Sequence, residues 1–291
     1  MNRLLVLGAG GPFSAPAGGS LLLDTVTGST AAFSIRKLRS AQTNCLRVRR
    51  SSDNAEQDIG FSGNDMDTSS LTSFCSATDG FVVTWYDQSG NARDMTQSTA
   101  ASQPKIVSSG SIVAGVDGKV SLDFDGSNDR MVTSATLANY ISASASTIFV
   151  VFVADAIDTG ALASYQYDTI FCDTSGYAGL HLAGTDKMKF YNWDGNEDYA
   201  GPTIATSTDY IAEMRHESGT LYAKVNNGSE SSATSGNTQV TTGNPEIGGR
   251  LYGVSPFFNG RLSEIIFYDT ALSSGNRSTA STDINTYYTT Y

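Results

Sequence analysis

The residues of this chain that could do or guide chemistry are carboxylates set among amides and aromatics, and one stretch gathers them. Tyr191, Asn192, Trp193, Asp194, Asn196 and Glu197 all fall within residues 191–197. An aromatic face stacks on a sugar ring while carboxylates and amides take its hydroxyls, so this loop is the candidate carbohydrate-binding site. The competing reading of Trp193 is an ordinary edge aromatic. A second group, Asp123, Asp125, Asn128 and Asp129, crowds hard oxygen donors around one turn. Calcium takes ligands of that type, although the spacing is not that of an EF-hand loop, and short acidic turns are common in sandwiches. No other cofactor is implied. The only histidines, His181 and His216, stand in no pattern that suggests a Ser/His/Asp triad or a metal site. Cys45, Cys75 and Cys172 are too few and too widely spaced for a disulfide framework or a zinc site. Buried free thiols are expected, with a Cys45–Cys75 bridge as the alternative.

Composition narrows the partners. The net charge of −11 removes nucleic acid, whose phosphates need a basic face. No run of eighteen apolar residues exists to span a membrane. The apolar run in the first eight residues is too short for a secretory signal, so an extracellular role needs another exit route, such as lysis. Only 16% of residues are charged, and Gly, Ser, Thr, Ala and Asn are plentiful, which is the composition of a turn-rich β protein. Residues 1–20 hold five glycines and two prolines after one apolar patch, Leu4 to Leu7. They read as an arm suited to docking on a partner subunit or as a disordered tail, and residues 21–291 as one domain.

The elements that must position these residues follow from periodicity. Phe81 to Tyr86 is a β-prone run ending in Trp85 and Tyr86, with Asp87-Gln88-Ser89-Gly90-Asn91 as the turn that leaves it. Aromatics after an apolar run usually fill core. Leu46 and Val48 alternate with Arg47 and Arg49, the period of a half-wet strand. Six of the eighteen basic residues lie between Arg36 and Arg50; Asp53, Glu56 and Asp58 follow at once, so local ion pairing is their expected use. Ala31 to Leu38 has the spacing of a short helix, and Asp67 caps a second one through Phe74. Strands follow at short intervals over 103–107, 111–113, 118–126, 147–154, 167–172, 179–182, 188–193, 210–216, 220–225, 246–247 and 260–268. Asn226-Asn227-Gly228 marks a hairpin. Ile284, Tyr287, Tyr288 and Tyr291 recur at helical spacing and predict a closing C-terminal helix packed on the sandwich edge. The whole is an all-β pattern, a β-sandwich or jelly roll with short helices.

Three stretches carry a resemblance: Phe124-Asp125-Gly126-Ser127-Asn128-Asp129, Ile148 to Phe152, and Phe258-Asn259-Gly260-Arg261 through Tyr268. They resemble the concanavalin A-like lectin/glucanase (laminin-G-like) jelly rolls. The block Ala32 to Arg50, with Trp85-Tyr86-Asp87-Gln88-Ser89-Gly90-Asn91, is similar to the catalytic jelly roll of the family 54 α-L-arabinofuranosidases. Similar stretches occur in bacteriophage tail and virion proteins. The resemblance implies a concanavalin A-like fold from about residue 21 onward. It also implies a retaining glycosidase, which needs two carboxylates about 5 Å apart. That family's acid/base aspartate follows a Gly-Gly pair; here Gly248-Gly249 is followed by Arg250, which cannot shuttle a proton near neutral pH. The family's nucleophilic glutamate belongs to the strand matching roughly Gly179 to Phe190, which has no Glu and only Asp186. Its adjacent cysteine pair is matched by Cys172 alone, after Phe171.

The expectation from these residues is a non-enzymatic phage virion protein, a tail or capsid appendage or decoration located on the virion. It would be anchored to other virion subunits through the N-terminal arm, homo-oligomeric, and would engage host or environmental cell-surface glycans. A purely structural decoration protein is a variant of the same reading. The alternative is a glycoside hydrolase of arabinofuranosidase type with rearranged carboxylates, Glu197 with Asp194 or Glu246.

Overall fold

A computed structural model of the chain describes residues 20–142, 144–157, 168–174, 178–183, 187–192, 199–234, 242–249 and 257–291; at 178, 183, 187, 189–192, 199 and 200 the backbone alone is described. The first half comprises α1 (Leu22–Thr25), β1 (Ala31–Ser34), β2 (Asn44–Arg50), β3 (Glu56–Ser62), β4 (Asp65–Met66), α2 (Thr68–Cys75), β5 (Gly80–Trp85), β6 (Met95–Thr96), β7 (Lys105–Ser108), β8 (Ser111–Ile112), β9 (Leu122–Asp125) and β10 (Met131–Val132). The second half comprises β11 (Ala145–Ala154), β12 (Asp168–Asp173), β13 (Ala178–Ala183), β14 (Lys187–Asn192), β15 (Tyr199–Thr203), β16 (Asp209–Glu217), β17 (Thr220–Val225), β18 (Ser231–Thr234), β19 (Pro245–Ile247), β20 (Asn259–Tyr268) and α3 (Ser274–Tyr288).

Antiparallel pairing sorts the strands into two layers. One runs β3–β2–β5–β6–β10–β19–β12–β13–β14–β15. The other runs β18–β17–β16–β11–β20, with β9 against the first part of β20 and β1 against its last part. β7 joins the layers at one end by pairing with both β5 and β9. Aromatic side chains fill the space between: Phe171 of β12 meets Phe267 of β20 at 4.8 Å between ring centroids, and Phe33 of β1 meets Trp85 of β5 at 5.8 Å. The expected jelly-roll sandwich is present, and Trp85 is core.

β11 is buried continuously from Ser146 to Ala154, where a sheet with one wet face would alternate. The reason is α3, which covers the outer face and places Ala280, Ile284 and Tyr288 in the core. Its N-cap is Ser273, whose side chain accepts from Asn276 N. Tyr291, expected on the same face, lies beyond the helix and is exposed, because the chain turns left-handed at Thr289. Asp67 caps α2 as expected, accepting from Ser70 N.

Ala31–Ser34 forms a strand, not the expected helix. Each of its four residues is buried and pairs with Glu264 to Phe267, so tertiary pairing overrides a spacing that suits either structure. The Asp87–Asn91 turn explains how that segment is held. Asp87 accepts from Ala32 N at 2.9 Å and from Ser89 N at 2.8 Å. Gln88 accepts from Leu38 N and donates to the carbonyls of Ser34 and Arg36. Both side chains are buried, so the motif latches the 32–38 segment to the end of β5. All three cysteines are buried, and Cys45 and Cys75 are not bridged. The expected local ion pairs form between Arg47 and Asp58 and between Arg50 and Asp53, but Arg36 pairs far along the chain.

That long-range pair sits where β20 changes partners. β20 pairs with β9 through Leu262 and with β1 from Glu264; opposite β11 the register shifts there, leaving Ser263 as a bulge. Ser263 bonds Ser121 Oγ through its hydroxyl and takes Ile35 N on its carbonyl. Beside it, Glu264 is fully buried. It accepts from Ser34 Oγ at 2.7 Å and from Arg36 Nε at 2.8 Å and Nη2 at 3.1 Å. Arg36 also reaches Asp283 of α3 at 2.6 Å. A second buried carboxylate, Glu213 of β16, receives Arg277 of α3 at 2.8 Å and Lys224 of β17 at 2.9 Å.

A buried charge stripped of its partner costs far more than the pair contributes. Arg36→Leu should therefore lower unfolding free energy by about 3–5 kcal/mol. Replacing Glu264 by Gln in the same background should recover part of the loss, both read by urea denaturation.

Candidate functional site

β19 is only three residues long, yet it is wedged between β10 and β12 and so fixes the register of the first layer's middle. Glu246 stands opposite Val132 on one side and Cys172 on the other; Cys172 stands opposite Gly179, and Gly179 opposite Tyr191. Cross-strand partners in an antiparallel ladder share a face. That face therefore carries Glu246, Cys172 and Gly179 in one row. Two residues further along β13, His181 stands opposite Thr169 and bonds its hydroxyl through Nδ1 at 2.9 Å. The opposite face, with Met131, Phe171, Leu180 and Ile247, is core.

Glu246 is 2% exposed, and the Arg130 guanidinium lies 3.9 Å from its Oε1. This carboxylate-guanidinium pair, with His181 and Cys172 alongside, is the chemically capable group on the face. Gly179 is glycine for a steric reason. A Cβ there would sit 2.6 Å from Phe171 O, 2.8 Å from His181 Nε2 and 2.9 Å from Cys172 Cβ. No side chain, carboxylate or otherwise, can stand at that point of the row. Gly248 and Gly249 follow Glu246. The backbone at Gly248 is left-handed (φ +85°) and a Cβ would overlap the Phe124 ring, while a Cβ on Gly249 would overlap the ring of Phe257. The pair thus presses the chain against two aromatic rings, and Cys172 Sγ contacts the Gly249 carbonyl at 3.5 Å.

Of the sequence-predicted sugar site, Tyr191 and Asn192 end β14 by their backbone, and Tyr191 lies in register with the Glu246 row. Trp193, Asp194, Asn196 and Glu197, and also Asp186 and Arg250, lie outside the described residues. Arg130 and Thr169 were not singled out from sequence. Their relevance comes from pairing across β10, β19 and β12, which no local pattern reports.

In the predicted calcium turn two carboxylate oxygens accept from backbone amides of the turn. Asp125 Oδ1 accepts from Ser127 N at 2.8 Å and Asn128 N at 3.2 Å, and Asp129 accepts from Asp125 N at 3.1 Å. Asp123 faces Lys105 and Arg261 in the ladder. Among the described residues no group of three or more His, Cys, Asp or Glu is placed to hold a metal ion. Burial, followed by the charges of Asp125 and Asp123, pushes the Asp129 carboxyl up to about 7.

The chain is a two-layer antiparallel jelly roll that presents a buried acid, an arginine and an imidazole on one sheet face. More particularly, the chain belongs to the family described as alpha-L-arabinofuranosidase B, catalytic, matched over residues 21–169, which is 149 of its 291 residues. Among solved structures it is similar to a family 54 α-L-arabinofuranosidase soaked with a cyclic sulfate inhibitor, with a TM-score of 0.71 and 15% identity over 90% of this chain. It is also similar to an arabinofuranosidase complexed with arabinofuranosyl-α-1,2-xylobiose, with a TM-score of 0.68 and 16% identity. At such identity the likeness is one of fold, and the match spans 64% of each of those chains. No curated protein matches the sequence.

Two measurements check this geometry. Gly248→Ala, which combines strain at positive φ with overlap of Phe124, should cost about 2–4 kcal/mol in urea denaturation. For Asp129 the folded pKa lies above the ordinary 3.8, so the unfolded chain releases the proton more readily. The penalty is absent below the unfolded value and grows as pH rises towards 7. Asp129→Asn should therefore raise the denaturation midpoint at about pH 8 and leave it nearly unchanged at about pH 4.

Proposed function

We propose that this chain is a carbohydrate-active domain of arabinofuranosidase type, directed at arabinofuranosyl residues of a glycan, with Glu246 as its principal carboxylate. Family membership over residues 21–169 carries this reading. The solved structures of the same fold that hold an arabinofuranosyl xylobiose or a 4-nitrophenyl α-L-arabinofuranoside add the ligand class. Glu246 suits the role because it lies on a sheet face between Arg130 and Cys172 rather than in the core. Its cross-strand row reaches Tyr191 near the end of β14, and the sequence that follows carries Asp194 and Glu197, so one of these is the proposed second acid.

A second reading, recognition without turnover, is favoured by two observations. A carboxylate side chain at position 179 of β13 would press on the Phe171 carbonyl, and Arg250 follows the Gly-Gly pair where the family has its acid/base aspartate. Display on a virion, with the arm 1–20 as anchor and a homo-oligomeric assembly, belongs to this second reading. Its support is the sequence pattern, namely the Leu4–Leu7 patch among glycines and prolines.

Release of 4-nitrophenol from 4-nitrophenyl α-L-arabinofuranoside tests the proposal, alongside calorimetric titration with an arabinofuranosyl oligosaccharide. Turnover that falls by about a thousandfold or more in Glu246→Gln, with binding kept, is the expected result. Binding without turnover in the wild type selects the second reading. A wild type that neither binds nor turns over arabinofuranosides overturns both.

A further inference from the structure

We propose a second carbohydrate site, distinct from the Glu246 face, that takes a sugar acid. It is an open cavity of ≈ 430 Å³ lined by Asp24, Gly28, Ser29, Arg39, Ser89 and Asn91 among others. Its walls come from α1, the connections on either side of β1, and the turn after β5, none of which contributes to the face of β10, β12, β13 and β19. The inference stands whether or not the arabinofuranosidase reading does.

Among the described residues Arg39, Arg49 and Arg93 meet no carboxylate, and of these Arg39 alone lines the cavity. Arg36, Arg47, Arg50, Arg130, Arg215, Arg261 and Arg277 each meet a carboxylate within 4 Å. Arg39 meets none among the described residues, in a chain of net charge −11. Its one side-chain hydrogen bond among the described residues is from Nη1 to the Ser89 carbonyl at 2.6 Å. That bond fixes the guanidinium over Gly90, where the backbone is left-handed (φ +92°) and a Cβ would overlap the arginine. The turn after β5 thus leaves room for the arginine and holds it by one corner. The donors on Nε and Nη2 keep a planar fork for which the protein supplies no acceptor among the described residues, and a carboxylate is the group such a fork matches.

The remaining wall sets the rest of the ligand. Asp24 accepts from Ser40 N through Oδ2, which leaves Oδ1 as an acceptor at the cavity. Asn91 donates its amide hydrogens to Thr30 O and Ser89 Oγ at 3.0 Å each, and Oδ1 is left to accept. Acceptors of this kind want hydroxyl donors, and the Asp24 charge opposes a simple inorganic anion. A ligand with a carboxylate at one end and hydroxyls at the other satisfies both walls. A uronic acid residue has that chemistry, free or within a glycan, and the cavity is of the size small-molecule sites have.

Titration of the full chain with methyl α-D-galactopyranosiduronic acid, methyl α-D-galactopyranoside and inorganic sulfate, followed by calorimetry or NMR, decides the matter. The uronate should bind at least about tenfold more tightly than the neutral glycoside and than sulfate, and Arg39→Gln should weaken the uronate by at least about tenfold. Asp24→Asn, which keeps an acceptor for Ser40 N, should narrow the preference for uronate over sulfate. That variant tests the site even where Arg39→Gln fails to fold. Tighter binding of an oligogalacturonide than of the monomer would assign the carboxylate to a glycan. Equal binding of the neutral sugar, sulfate as tight as the uronate, or no uronate binding up to about 10 mM overturns the proposal.

Discussion

A carboxylate with no access to water lies at the junction of this molecule. Glu264 follows the bulge at which the long strand β20 leaves β9 and takes up β1, and it gathers Ser34 Oγ and the Arg36 guanidinium into one buried group. Through Asp283, Arg36 extends the group to α3. Burial of a charge is unfavourable unless each partner is in place, so this arrangement is weak as a source of stability and strong as a constraint on geometry. β1, β20 and α3 can satisfy it only in one register. The Asp87–Asn91 latch then fixes the segment that bears Arg36, because Gln88 holds the Arg36 carbonyl itself. The two devices act on the same stretch: the turn holds the backbone of Ala32, Ser34, Arg36 and Leu38, and Glu264 holds the side chains of Ser34 and Arg36.

The Glu246 face depends on this frame at one remove. It belongs to the other layer, where the three residues of β19 carry Glu246 between β10 and β12. Such a short strand holds little on its own. It is kept in place by the core beneath it, where Ile247 is buried opposite Phe171 and Phe171 meets Phe267 of β20, and by two glycines that seat the chain on Phe124 and Phe257. Packing therefore determines where Glu246 stands, and the partners of β20 determine the packing. Gly179 shows the same logic in reverse, since the row beside Cys172 and His181 is too full for any side chain.

Much of this was legible in the sequence where local period and tertiary role agree. Leu46 and Val48 alternate with arginines because β2 has one wet face, Asp67 caps α2, and the last helix packs Ile284 and Tyr288 as its spacing implied. β1 was not legible, because Ala-Ala-Phe-Ser fits a helix as well as a strand and only pairing with β20 decides. β3 was missed because an edge strand bearing Glu56, Gln57 and Asp58 offers no apolar alternation. The candidate site was legible in part. The Gly248-Gly249 pair carried a signal through family resemblance and Glu246 entered only as a rearranged acid, whereas Arg130 becomes relevant only through strand pairing. Of the predicted sugar-binding loop, Tyr191 alone can be placed on the Glu246 row. The acidic turn at 123–129, which suggested calcium, uses two of its carboxylate oxygens on its own amides.

The measurement that tests the central claim most directly is a crystal structure of the chain soaked with an arabinofuranosyl oligosaccharide. The account predicts a furanose ring over the face of β12, β13 and β19, with a Glu246 carboxylate oxygen within about 3.2 Å of a ring hydroxyl or the glycosidic oxygen. A ring bound on another surface, with Glu246 still sealed against Arg130 and untouched, would contradict it.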